Sequence, residues 1–258
     1  MQFQRFVILI FLSILFLHAE IIPEMVTDRP DQTESCITVP AGWLQIETGS
    51  IIEEDSPENL ELTNFTYNTT LLRYGLLEDV EIRLGGDFLQ EKISMNNGSI
   101  ETTGLSPISV GFKTRLIKEN EALPELAFLG HLSLPYLANE DLSSEYIAPD
   151  FRIAGTKTLS QDISMGFNLG GEWDGDTPRP HFFYSYVLGA GFGDKIGLFA
   201  EIYGYINEKA KPDHRFDTGI TFLVNPAFQL DFSAGLGINA IAPDYFINGG
   251  LSYRFEIL

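Results

Sequence analysis

The chain has 258 residues, and its 36 acidic side chains against 16 basic ones give a formal net charge of −20. This excess of negative charge argues against nucleic acid as a partner, because the phosphate backbone would repel it. The only cysteine is Cys36, so an internal disulfide is excluded and stability must come from a large buried or lipid-facing surface.

The first residues have the pattern of an export signal. Met1 to Ala19 carry one charge, at Arg5, followed by an apolar run from Phe6 to Leu17. Such a run suits the apolar region of a signal peptide and is shorter than the roughly 20 apolar residues that a membrane helix needs. No second apolar stretch of that length follows. The sequence therefore predicts a signal peptide over residues 1–19 and argues against a helical inner-membrane protein.

Beyond residue 40, apolar residues recur at every second position. Phe228, Leu230, Phe232 and the alternate residues after them share one face, and polar or small residues occupy the other. This period is typical of β-strands with one apolar face, and many of the segments approach the length of about 9 to 11 residues expected of tilted membrane strands. The predicted strands cover residues 41–53, 60–76, 79–93, 106–118, 124–136, 146–158, 161–173, 180–192, 195–207, 214–224, 227–240 and 244–256.

Short and long connections alternate between these segments. Tight turns are predicted at 78–79, 160–162, 193–194 and 225–226, and longer polar loops at 94–105, 137–145, 174–179 and 208–213. Short periplasmic turns and longer outer loops are typical of outer-membrane barrels. The sequence thus predicts an all-β fold, a transmembrane antiparallel up-and-down β-barrel of about 12 strands in the outer membrane of a Gram-negative bacterium. Its predicted partners are outer-membrane lipid and, during insertion, the barrel-assembly machinery. The alternative, a soluble β-sandwich, would need shorter strands and crossovers between sheets.

Residues 27–49 read TDRPDQTESCITVPAGWLQIETG. They resemble the opening motif of an outer-membrane family described as putative MetA-pathway of phenol degradation proteins, whose members are often called transporters. The resemblance implies a barrel fold and a role in moving small molecules, aromatic ones included, and it implies no catalytic residue and no cofactor. The motif positions retained as functional candidates are Asp28, Arg29, Pro30, Asp31, Gln45 and Glu47.

The motif has a physical interpretation of its own. Pro30 and Pro40 forbid regular strand pairing nearby, and Asp28 and Asp31 can close turns. We therefore predict a periplasmic N-terminal segment over residues 20–40, followed by the barrel over residues 41–258. Sealing of the periplasmic mouth is favoured over contact with the solute, and entry of the segment into the barrel as a plug stays open.

Charged residues lie on the predicted strands at positions that alternate with the lipid-facing ones. In a barrel they must face the lumen, because Arg or Lys on the lipid face costs about 2 to 4 kcal/mol at the membrane midplane. They form either a filter for solutes or a lumen closed by its own ion pairs, and with about 12 strands a narrow path is favoured over a wide pore. The filter candidates are Glu81, Arg83, Asp87, Lys113, Arg115, Arg152, Glu201, Asp217, Asp231 and Arg254.

Two smaller patterns suggest other chemistry. His131 and Ser133 share a face of one strand, as the base and nucleophile of an outer-membrane lipid hydrolase would, but the parity of Leu132 aims them into the lumen. Asp174 and Asp176 can bind Ca²⁺ through carboxylate oxygens, although an ordinary turn is favoured.

The function predicted from these patterns is passive passage of small molecules, aromatic or hydrophobic ones included, through an outer-membrane channel or transporter. The small-molecule solute is then its remaining predicted partner, and no enzyme activity, metal site or cofactor is expected. The alternatives are a hydrolase that uses His131 and Ser133 and a closed barrel with a structural or surface-binding role.

Overall fold

The computed structural model describes residues 23–58, 60–208 and 211–257, and the predicted signal peptide lies outside these ranges. Over the described residues the chain is almost entirely strand, with two short 3-10 turns between β6 and β7. The strands are β1 (Trp43–Asp55), β2 (Leu60–Leu77), β3 (Val80–Met95), β4 (Gly98–Leu105), β5 (Ile108–Ile117), β6 (Glu125–Leu134), β7 (Ala148–Thr158), β8 (Ile163–Glu172), β9 (His181–Phe192), β10 (Ile196–Ile206), β11 (Asp213–Asn225), β12 (Phe228–Gly237) and β13 (Tyr245–Glu256).

The strands form one closed antiparallel sheet. β1 pairs with β2 on one side and with β13 on the other, which closes the barrel. β4 and β5 are two parts of one barrel strand, because β3 pairs with β5 through Val80–Gly85 and with β4 through Phe88–Met95. Pro107 lies at the break between them, where its missing N–H cannot join the ladder. The thirteen strand elements therefore make the predicted twelve-stranded up-and-down barrel.

The distribution of polar and apolar residues across the barrel wall is the reverse of that in a soluble protein. On β3, the apolar Ile82 and Leu84 are 47% and 42% exposed on the outside, whereas Glu81 and Arg83 are 0% and 3% exposed on the inside. An apolar exterior around a polar interior is the pattern of a transmembrane barrel. The prediction of such a barrel is confirmed. Among the described residues, no helix is long and apolar enough to cross a membrane.

The two ends of the barrel differ. The connections after β2, β5, β7, β9 and β11, four of them short, lie at one end together with the start of β1 and the end of β13, and we call this the turn end. The other connections, most of them longer, lie at the opposite end, the loop end. In a loop-end connection, the Asp174 carboxylate accepts hydrogen bonds from the N–H groups of Asp176 and Thr177 at 2.9 and 2.7 Å. This residue therefore closes a turn, which is the interpretation that the sequence favoured.

The prediction of a loop over residues 94–105 is wrong, because these residues form a β-hairpin. β3 continues to Met95, and β4 pairs with it through a two-residue turn at Asn96 and Asn97. Asparagine tolerates the left-handed backbone that tight hairpins need, and this signal was present in the sequence. Together with β2, the hairpin extends the barrel wall at the loop end beyond the end of β6.

Candidate functional site

Residues 23–40 lie inside the barrel, and we call them the plug. The plug backbone is held by strands on several sides of the wall. Arg254 on β13 donates to the carbonyl of Glu24 at 3.1 Å, the side-chain carbonyl of Asn168 on β8 accepts from the N–H of Glu34 at 2.8 Å, and the Glu81 carboxylate on β3 accepts from the N–H of Val39 at 2.8 Å. The sequence predicted a periplasmic segment and left its entry into the barrel as the alternative; the structure has residues 23–40 inside the barrel.

Asp28 of the plug lies among three buried cations. Its Oδ2 is 2.7 Å from Lys113 Nζ, 2.8 Å from Arg83 Nη1 and 3.1 Å from Arg73 Nη1. Burial alone would raise the pKa of the Asp28 carboxyl, but the charges of Arg73, Lys113 and Arg83 outweigh it and hold the pKa well below its usual value. Asp28 therefore stays ionised and ties the plug to β2, β3 and β5.

Further carboxylates complete this cluster. Arg73 contacts Glu47 Oε1 at 2.8 Å and Glu81 Oε1 at 2.9 Å, and Arg83 Nη2 lies 2.7 Å from Glu34 Oε2 of the plug. All these side chains are buried except that of Glu34, which is 16% exposed. Buried ions need this degree of pairing, because removing one partner leaves an uncompensated charge.

Two parts of the motif, the start of the plug and the start of β1, meet in this cluster. The N–H of Asp28 donates to Glu47 Oε2 at 2.9 Å, and the side-chain amide of Gln45 donates to both Glu47 Oε1 and the carbonyl of Val26. Gln45 and Glu47 lie next to each other on the inner face of β1. The family motif is thus a plug together with the strand that holds its start.

Arg29 points to a different part of the wall. Its Nη2 donates to Asp231 Oδ1 on β12 at 3.0 Å and to Asn248 Oδ1 on β13 at 2.7 Å. The paired glycines Gly49 and Gly250 provide the room, since a Cβ at either would collide with the guanidinium. The adjacent residues Asp28 and Arg29 therefore bind different parts of the wall: Asp28 contacts cations, and Arg29 contacts an acid.

Gln32 and Thr33 of the plug contact β9 and β10. The N–H of Gln32 donates to Glu201 Oε2 at 2.8 Å, and the Thr33 hydroxyl donates to the other Glu201 oxygen. The Thr33 hydroxyl is also 2.6 Å from the Ser185 hydroxyl. Both donors are uncharged, so the plug satisfies the hydrogen-bonding capacity of the Glu201 carboxylate but does not neutralise its charge.

Glu201 and Asp217 face each other in the register of β10 and β11. Asp217 is fully buried, and neither of its carboxylate oxygens accepts a hydrogen bond from a donor in the described part of the chain. Nor does either acid form an ion pair there, whereas Asp231, also buried, is paired with Arg29. Two adjacent buried carboxylates without a counter-ion cannot both be charged, so one of them holds a proton.

This difference predicts opposite effects of two matched substitutions. Asp217→Asn should stabilise the barrel or leave its unfolding free energy unchanged, because it replaces one of two adjacent acids that have no cationic partner with a neutral group, whereas Asp231→Asn should cost about 3 kcal/mol by leaving Arg29 unpaired. Urea titration of the refolded barrel in micelles measures both. If Asp217→Asn lowered the free energy of unfolding as much as Asp231→Asn, the Asp217 carboxylate would have a cationic partner.

The structure separates the ten predicted filter residues into groups. Glu81, Arg83 and Lys113 form the cluster around Asp28, while Glu201, Asp231 and Arg254 contact other parts of the plug. Arg115 pairs with Asp79 and Glu125 at the turn end, and Asp217 is the unmatched acid. Of the ten candidates, Arg83, Asp87 and Arg152 line an open cavity at the loop end.

Arg73 was not among the residues predicted from the sequence, although it forms three ion pairs in the cluster, as many as Arg83 and Lys113. Its signal was present, since Arg73 alternates with the lipid-facing Leu72 and Tyr74 on β2. Asn168 and Asn248 were also missed, because an uncharged polar residue on an inner face has no feature that marks it as a partner of the plug.

The plug separates two cavities. The loop-end cavity, of about 510 Å³, is lined mainly by β2, β3 and β5–β8; the turn-end cavity, of about 710 Å³, is lined by the plug and by β7–β12. Glu34 is the one described residue that lines both. The two cavities therefore approach each other at Glu34.

An aromatic cluster fills the loop end of the lumen on the β9, β10 and β13 side. Phe183, Tyr203 and Phe246 are buried together, with Tyr205 packed against them. The Arg152 guanidinium lies 3.9 Å from the centre of the Phe183 ring, a cation–π contact. Because this side is filled, the open space at the loop end is confined to the side of β2–β8.

His131 and Ser133 both line the loop-end cavity. His131 Nδ1 is 3.0 Å from Asp150 Oδ1, but within the described residues the Ser133 hydroxyl forms no hydrogen bond to His131. The outward Leu132 between them is 45% exposed. The pair faces the lumen, and its serine has no contact with the base that would activate it.

Several solved structures resemble this barrel. The COG4313 outer membrane channel from Pseudomonas putida F1 has a TM-score of 0.64 and 14% identity, over 86% of this chain and 98% of that chain. The KdgM porin has a TM-score of 0.53 and 8% identity, over 83% of this chain and 99% of that chain. The translocator domain of the autotransporter NalP from Neisseria meningitidis has a TM-score of 0.54 and 12% identity, over 84% of this chain and 90% of that chain. At these identities the likeness shows the fold alone.

No curated protein matches the chain. The family described as "Putative MetA-pathway of phenol degradation" matches residues 27–255, which include the plug motif and the whole barrel. The chain belongs to this family.

Proposed function

We propose that the protein is an outer-membrane channel for the passive passage of small solutes in a Gram-negative bacterium, with the plug as its constriction. The observation that carries this proposal is the pair of cavities on either side of the plug, which share only Glu34 among the described residues. The turn end then faces the periplasm and the loop end the exterior, as in other barrels of this kind.

The geometry favours a channel over the two alternatives. A hydrolase needs a serine hydrogen-bonded to its base and exposed to lipid, and Ser133 meets neither condition. A purely structural barrel has no need for two cavities placed end to end. Small size of the solute follows from the confined path, and the inclusion of aromatic molecules rests on the family description.

Single-channel recording in a planar bilayer tests the proposal, with the refolded chain that lacks residues 1–19. Small, discrete and reproducible conductance steps are expected, since the plug leaves only a narrow path. Persistent absence of steps from a barrel shown to be folded, for example by its heat-dependent mobility in gels, would contradict the proposal.

A matched pair of serines tests which side of the lumen conducts. Ser133 lines the loop-end cavity, whereas Ser233 on β12 is fully buried. In a Cys36→Ser background, a charged thiol reagent added from the loop end should reduce the conductance of Ser133→Cys by about half and leave Ser233→Cys unchanged. Equal block of both variants would show that the path is not confined to the β2–β8 side.

A further inference from the structure

The two faces of β3 exchange polarity along the strand. Between Val80 and Gly85 the lumen-facing residues are charged, but the residues of the same parity further along are Leu89, Ile93 and Met95, interrupted only by Glu91. The extra residue in the pairing of β3 with β2 belongs to β2, so β3 keeps its parity to its end. The inner face of the extension at the loop end is therefore mainly apolar.

The neighbouring strands add to this face. Leu60 and Leu62 on β2 pair with Met95 and Ile93, and Ile100 on β4 pairs with Ile93. Directly paired residues lie on the same face of an antiparallel sheet. Ile100 is 58% exposed and Met95 44%. We call this set the apolar ledge, which consists of Leu60, Leu62, Leu89, Ile93, Met95 and Ile100.

The opposite face of the extension is polar. Lys92 lies 3.5 Å from Glu101, and the Tyr67 hydroxyl donates to Gln90 at 2.8 Å. Below these residues, on the outer face, Phe65 and Phe88 pack on either side of Tyr67. Aromatic residues of this kind mark the membrane interface. The ledge thus lies beyond the lipid and faces the mouth of the lumen, so lipid tails do not cover it.

We propose that the apolar ledge binds small uncharged aromatic or other apolar solutes before they enter the lumen. This inference rests on the proposed function and names its solute class. A cleft of about 510 Å³ lies at the ledge, within the usual size range of small-molecule sites, and the described residues that line it include no charged side chain. In a chain with a net charge of −20, a cleft lined without charged side chains favours neutral ligands over ions, and Glu91 is the one charged residue on the inner face of β3 between Leu89 and Met95.

The ledge is continuous with the path already described. Asp87 lines the loop-end cavity, and Leu89, the next residue of the same parity on β3, belongs to the ledge. Ser106 and Pro107, which follow β4, line the same cavity. A solute released from the ledge therefore lies directly above the open side of the lumen.

Methyl-labelled protein in lipid nanodiscs tests this site. Benzyl alcohol should cause saturable shifts of the Ile93, Met95 and Ile100 methyl signals, whereas benzoate and benzylamine, which carry charge on the same ring system, should cause much smaller ones. The lipid-facing Ile82 methyl is the control for partitioning into the bilayer. Shifts at the ledge that stay linear with concentration, as at Ile82, would overturn the proposal, and so would equal saturation by all three compounds.

A paired set of variants separates the ledge from its surroundings. Ile93→Ser with Ile100→Ser should weaken the binding of benzyl alcohol at Met95 about tenfold or more, while Lys92→Ser with Glu101→Ser, on the other face of the same strands, should not. The Lys92→Ser, Glu101→Ser variant should also keep the conductance of the parent, because its two residues lie on the other face of the extension, away from the ledge and the constriction. Unchanged binding in the first variant would refute the ledge but leave the channel intact, whereas loss of conductance steps in the parent would refute the channel. Contacts of Ile100 with acyl chains, or with a second copy of the chain, would overturn the inference.

Discussion

Removal of residues 20–38 is expected to raise the single-channel conductance by about an order of magnitude, because a twelve-stranded barrel without its plug has room for an aqueous channel. In the intact structure the plug is held by Asp28 on one part of the wall, by Arg29 on another and by Thr33 on a third. These contacts leave Glu34 as the junction between the two cavities. Planar-bilayer recording of the shortened barrel measures the effect.

The shortened barrel loses the acids that balance Arg73, Arg83 and Lys113, so its folding needs a second, independent variant. The hydroxyl oxygens of Thr33 and Ser185 are 2.6 Å apart, near the separation of about 2.0 Å between the two sulfur atoms of a disulfide. Thr33→Cys with Ser185→Cys, in a Cys36→Ser background, should fix the plug to β9 when oxidised and release it when reduced. Large conductance in the oxidised form would show that the plug is not the constriction.

The barrel wall was predictable because alternation reports which face of a strand meets lipid. That is why all ten charged candidates were expected inside, and why Arg73 could have joined them. Alternation does not report how far along the axis a residue lies, so the pairing of Asp28 with Lys113, 85 positions away, could not be foreseen. The apolar ledge was missed for a related reason. At Leu89 the two faces exchange polarity, and a pattern that changes sign within one strand resembles the end of that strand.

Asp28→Asn is expected to release the start of the plug at neutral pH and to cost about 3 to 5 kcal/mol of unfolding free energy, because it leaves three buried cations short of one anion. Asp31→Asn is the matched control, since Asp31 lies three residues along the plug and forms no ion pair within the described structure. Urea unfolding and single-channel recording measure the two consequences. Similar behaviour of the two variants would mean that Asp28 does not hold the plug.

The wild-type chain should reproduce the effect of Asp28→Asn only in strong acid. The pKa of Asp28 in the folded barrel is well below the unperturbed value of 3.8, so its stabilising charge is fully present above pH 3.8 and is lost as the pH falls through the lower, folded-state value. Conductance of the wild type should therefore stay constant from neutral pH down to about pH 4 and rise below it. A rise centred near neutral pH would point to another titrating group, and the variant without Asp28 should lack the acid step.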